Sequence, residues 1–143
     1  MHSRIVPFVA FAVAAFFTTA SSAYAQTIKF QAKLDAAQEV PTNDSKAKGT
    51  ADLMYDTTSK NLTWTITFDG LTGPATVAHF HGPAEPGKTA GVALLIGQKP
   101  TSPVKGNATL TDPQAADLMA GRWYVNVHTE ANKPGEIRGQ VTK

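Results

Sequence analysis

The chain has 143 residues, no cysteine, 13 basic and 11 acidic side chains, and a formal charge of +2. Without cysteine there is no disulfide and no thiol nucleophile, so packing, hydrogen bonds or a bound ion must hold the fold. A near-neutral chain without basic clusters excludes nucleic acid as its natural partner.

The N-terminus reads as an export signal. Met1-His2-Ser3-Arg4 is weakly basic, Ile5 to Ala20 is almost wholly apolar, and Ala23-Tyr24-Ala25 is a small-x-small cleavage site. The expected boundaries are a signal peptide over residues 1–25 and one domain over 26–143. The apolar run is too short for a transmembrane helix, and no cysteine follows it to carry a lipid. No membrane anchor is therefore expected after cleavage, and the expected compartment is the periplasm or the exterior. Loss of Arg4, the only charge in the leader, lowers the net charge from +2 to +1. What is left, roughly 120 residues, suffices for a single core.

Strand patterns dominate this domain. Ile28, Phe30, Ala32 and Leu34 alternate with polar residues, as do Ala51, Leu53 and Tyr55. Asp56 to Asn61 reads as a hairpin connection. Leu62, Trp64, Ile66 and Phe68 alternate with Thr63, Thr65 and Thr67, which places threonines on a wet face and large apolar groups opposite. A strand follows from about Thr76 to His81, and Gly82 to Gly87 ends it. Val92-Ala93-Leu94-Leu95-Ile96 is a continuous apolar run, expected to be a strand buried on both faces. Lys105 to Thr111 is a further strand. One short helix is expected near 112–120, with Asp112 as N-cap, Pro113 in the first turn and Gly121 as the stop. Trp123 to Thr129 and Glu136 to Val141 close the series, joined by a loop at Glu130 to Gly135. About seven to eight short strands with regular turns predict an all-β fold, an antiparallel sandwich or barrel of immunoglobulin-like or Greek-key type.

Three histidines lie beyond the leader, all in two strand motifs: Ala78-His79-Phe80-His81-Gly82-Pro83-Ala84 and Trp123-Tyr124-Val125-Asn126-Val127-His128-Thr129. A strand sends residues i and i+2 to one face, with Cα atoms about 6.6 Å apart, so His79 and His81 point together. His128 shares a face with Tyr124 and Asn126. If the two strands are neighbours, three imidazoles converge, and a metal–nitrogen bond of about 2.0 Å fits that span. Neutral imidazoles suit copper or zinc, and copper heads the affinity order. Tyr124, Asn126, Glu130, Glu136 and Arg138 are candidates for the surrounding shell; Glu130 and Glu136 are also candidates for a fourth ligand. Gly139, inside a strand, marks a bulge or a close backbone approach. Trp64 and Trp123 lie in apolar register and are expected in the core. There is no Gly-x-Ser-x-Gly elbow.

These motifs, with Pro134-Gly135-Glu136-Ile137-Arg138-Gly139-Gln140, resemble the CHRD domain, a family first noted as a repeat in chordin and also found as single-domain exported bacterial proteins. Leu62-Thr63-Trp64, Gly73-Pro74 and the short helix before Gly121-Arg122-Trp123-Tyr124 fit the same layout, so the resemblance runs from Phe30 to Val141. Lys133 departs from it, at a loop position where family members more often carry a small or polar residue. The resemblance implies a β-rich, immunoglobulin-like or barrel-like domain. In chordin such domains accompany growth-factor-binding modules.

The expected function is an exported metal-binding protein with a three-histidine site, for copper or alternatively zinc, in periplasmic metal handling. The alternative is a non-catalytic interaction module with structural histidines and a protein partner or a homo-oligomeric assembly. A metal-dependent enzyme is the least favoured reading.

Overall fold

Residues whose apolar side chains alternate can bury one face of a strand and leave the other in water, and this is how most of the chain is built. The computed structural model describes residues 26–143, so the expected export signal at 1–25 lies outside the described residues. Eight strands follow: β1 (Thr27–Asp35), β2 (Lys48–Asp56), β3 (Asn61–Asp69), β4 (Ala75–His81), β5 (Val92–Gln98), β6 (Val104–Thr109), β7 (Tyr124–Thr129) and β8 (Ile137–Gln140). One helix, α1 (Asp112–Met119), lies between β6 and β7. All strand pairs are antiparallel. They form one sheet in the order β5-β4-β7-β8-β1-β2-β3-β6.

The sheet curls until its halves meet, a nearly closed barrel. Trp64 on β3 touches Phe80 on β4 across the interior, edge to face at 5.3 Å. Phe30, Leu34, Leu53, Leu62, Ile66, Val125, Val127 and Ile137 fill the space between. Each such side chain contributes on the order of 1.5–3 kcal/mol when fully buried. Trp64 and Trp123 are both in this core. Gly106 on β6 makes room for Trp64: a Cβ there would lie 2.5 Å from the indole. Gly139 on β8 lets the chain approach β1, since its Cβ would lie 2.4 Å from the Lys33 carbonyl oxygen. That is the close approach its position in a strand suggested.

Helix α1 turns Ala115 and Leu118 into the core, where both are buried. The Gln114 amide donates to the Ala93 carbonyl and ties the helix to β5. Its N-cap is Thr111, not Asp112: the Thr111 hydroxyl accepts from the Gln114 N–H, and the Gln114 side chain accepts from the Thr111 N–H. This reciprocal pair satisfies two free amides at once, which a single Asp cap does not. Asp112 stands in the first turn, where its charge favours the helix N-terminus. Gly121 ends the segment with φ +71°.

Strand β5 also differs from expectation. Of its apolar run only Ile96 is buried, whereas Val92 is 57 % and Leu95 47 % exposed. β5 ends the sheet, and among the described residues these side chains stay uncovered. A continuous apolar run does not by itself distinguish a doubly buried strand from an edge strand.

Candidate metal centre

Strands β4 and β7 are neighbours, registered with Val77 opposite His128, His79 opposite Asn126 and His81 opposite Tyr124. Alternation does the sorting. Ala78, Phe80, Val125 and Val127 point into the core and are fully buried. His79, His81, Tyr124, Asn126 and His128 therefore share the outer face. The three imidazoles converge there, with one ring nitrogen from each lying within 4.8 Å of the others. His79 Nδ1 and His128 Nε2 are 3.4 Å apart. In a tetrahedral site with bonds of about 2.0 Å, ligand nitrogens stand roughly 3.3 Å from one another, so this pair is already at that separation.

Backbone carbonyls select the tautomers. A carbonyl only accepts, so a ring nitrogen bonded to one must carry the proton. His128 Nδ1 donates to the Lys133 carbonyl at 2.8 Å, and His81 Nδ1 donates to the Ala90 carbonyl at 3.1 Å. Both rings therefore present an unprotonated Nε2. The His81 Nε2 is buried and has no hydrogen-bond partner among the described residues. A buried acceptor without a donor is costly, and a metal ion is one group that satisfies it. Burial lowers the pKa of His79, as do the neighbouring His128 and His81 charges. Burial also lowers His81, with His128 and Arg138 adding to the effect and hydrogen bonds at Ala90 and Gly91 opposing it. In both rings the shift favours the neutral imidazole, the form that coordinates.

Behind the histidines lies a stack. His81 lies flat on Tyr124, with ring centroids 4.8 Å apart and planes within 3°. The Arg138 guanidinium carbon sits 3.5 Å from the centre of the Tyr124 ring. The loop from Gly82 to Gly91 is clamped over this stack. The Tyr124 hydroxyl exchanges hydrogen bonds with Ala90, and Arg138 donates to the Lys88 carbonyl at 2.7 Å. Tyr124 and Arg138 thus adjoin the triad.

The other candidates are placed differently. Asn126 stands beside His79 but donates to Glu39 Oε1 at 2.6 Å. Glu130 pairs with Lys133 at the surface. Glu136 is fully buried and turned away from the triad, its carboxylate accepting from Ser45, Thr72 and Thr129. Burial works against its charge, yet those hydrogen bonds prevail and bring its pKa down to about 2. Neither acid joins the three histidines as a ligand, because each is already engaged elsewhere.

Glu39 is the residue that sequence reasoning passed over. It lies in the polar loop after the 3₁₀ turn Ala36–Gln38, yet it is only 5 % exposed. Burial pushes its pKa up to about 7, against the pull of Arg138 and of hydrogen bonds at Val40 and Asn126. Gly135, at φ +143°, makes this packing possible: a Cβ there would come within 2.2 Å of the Asn126 amide nitrogen. No periodicity marks a loop residue as buried. The Lys133 and Ala90 carbonyls were equally invisible, since any residue supplies a carbonyl.

The family model described as CHRD domain matches residues 30–141. No curated protein and no solved structure gives a match.

Proposed function

The chain belongs to the CHRD domain family, and from that premise we propose that it is a metal-binding protein in which His79, His81 and His128 hold a copper ion. Zinc is the alternative ion, and metal handling in the periplasm or outside the cell is the setting. The observation that carries this reading is the donor arrangement. Two imidazoles have their Nδ1 protons committed to backbone carbonyls, and the lone pair freed on His81 is buried without a partner. Histidines serving only to hold the sheet would spend that nitrogen on a donor. The triad is half-buried, so an ion can enter and leave. Binding is favoured over catalysis because the nearby acid–base groups are occupied: the Tyr124 hydroxyl by Ala90, Glu136 by three hydroxyls.

A second reading has its own support. Val92 and Leu95 are exposed on the end strand, directly opposite His81 and His79 in the β4–β5 pairing. Exposed apolar side chains on a sheet edge are a feature of interaction modules.

Copper and zinc titrations of the purified protein separate the two. Under the metal reading the protein binds one ion tightly, and the His79→Ala/His81→Ala/His128→Ala variant does not, with an unchanged far-ultraviolet circular dichroism spectrum. Equal, weak binding by both proteins would leave the histidines structural and favour the interaction module.

A further inference from the structure

We infer that Arg138 sets the charge selectivity of this centre, so that His79, His81 and His128 take copper as the monovalent ion in preference to divalent copper or zinc. The inference rests on the metal reading above and adds to it the charge of the bound ion.

The donor set is neutral. His81 and His128 keep their protons on Nδ1, so ligation through Nε2 brings no negative charge. The two carboxylates nearest the triad in sequence are engaged away from it: Glu136 by hydroxyls and Glu130 by Lys133. Divalent copper also favours tetragonal coordination by further nitrogen or oxygen donors, whereas three nitrogens from one face suit an ion content with fewer ligands.

A fixed cation stands behind the site. Arg138 is 2 % exposed, so water screens its charge poorly. Strand order places Tyr124 between β4 and β8, with His81 stacked on its ring and Arg138 against it. Two stacking layers set the guanidinium roughly 8 Å from the His81 ring, where a unit charge at an effective dielectric of about 20 weakens binding roughly ten- to thirtyfold per unit of metal charge. Glu39 acts on Arg138 and offsets part of that field, which leaves the lower end of the range. The penalty applies once to a monovalent ion and twice to a divalent one, and that difference is the selectivity.

The test is competition of the purified full-chain protein against chromophoric chelators at pH 8. Monovalent copper is measured without oxygen, and divalent copper and zinc separately. Wild type is expected to prefer monovalent copper. Arg138→Gln should lower that preference roughly tenfold, whereas Arg138→Lys, which keeps the charge but not the planar stack, should retain it. Glu39→Gln removes the offsetting anion without touching the histidines or Tyr124, and should widen the preference severalfold. This variant decides the matter if Arg138→Gln fails to fold. A wild type that prefers divalent ions, or preferences unmoved in the charge variants, would overturn the inference. A wild type that binds no metal in any state would instead overturn the metal reading beneath it.

Discussion

Glu136 is a buried carboxylate with no basic partner among the described residues, held by the hydroxyls of Ser45, Thr72 and Thr129 and the Thr72 N–H. Its pKa in the fold, about 2, lies below the ordinary 4.5, so it stabilises the protein above the ordinary value and that contribution is lost as pH falls towards 2. The shift corresponds to about 3 kcal/mol at neutral pH. Urea unfolding of wild type and Glu136→Gln at pH 7 and pH 3 is expected to show the variant less stable at pH 7, with most of the gap closed at pH 3. Glu39 carries the opposite sign. Its pKa is raised from 4.5 to about 7, so burying it costs stability increasingly as pH rises through that interval. Glu39→Gln should therefore gain on wild type between pH 4 and pH 8, by on the order of 2–3 kcal/mol at the upper end. The same denaturation series reads both effects, and parallel pH profiles for wild type and variant would contradict either one.

At the level of elements, two joints carry the fold's closure. β8 meets β1 through a short ladder anchored by Asp35 opposite Arg138, with Gln31 bridged to Thr142 nearby. Gly139 lets the strands approach, and the obstacle to a side chain there is backbone, which cannot swing aside. Gly139→Ala is expected to destabilise the protein by about 1–3 kcal/mol through overpacking, seen as a lower melting temperature. The helix joint is milder. Thr111→Ala removes one half of the capping box and should cost about 1 kcal/mol, while Asp112→Ala should cost less, because Asp112 is not the cap. Equal losses from the two substitutions would point back to Asp112 as the cap.

At the scale of the whole molecule, the barrel is unevenly built. β1, β2 and β3 pair over nearly their full lengths, whereas β4 and β5 pair with two register shifts and β5 buries only Ile96. Native-state hydrogen exchange should find β5 amides opening well before those of β1 and β2, and equal protection would mean that the seam beside β6 is closed more firmly than its packing implies. The triad sits on β4 and β7, inside the sheet, while its loops and neighbouring β5 lie on the looser side.

The strands with clean alternation, β1 to β3, were legible because period two is a property of the extended backbone itself. The shared face of His79 and His81 was legible for the same reason, as were a core Trp64 and a close approach at Gly139. The exposed β5 and the buried Glu39 were not, because each depends on what lies across from it rather than on its neighbours in sequence; the Thr111 cap is different, since its partner Gln114 is only three residues on and the Thr-x-x-Gln pattern stands in the sequence. The tertiary structure alone brought His128 to His79 across 49 residues, through the pairing of β4 with β7 in one particular register. It alone supplied the Ala90 and Lys133 carbonyls that orient two rings, and placed Arg138 one phenol away. Local periodicity decides which way a side chain points; which side chains then meet is decided by how the entire sheet closes around its core.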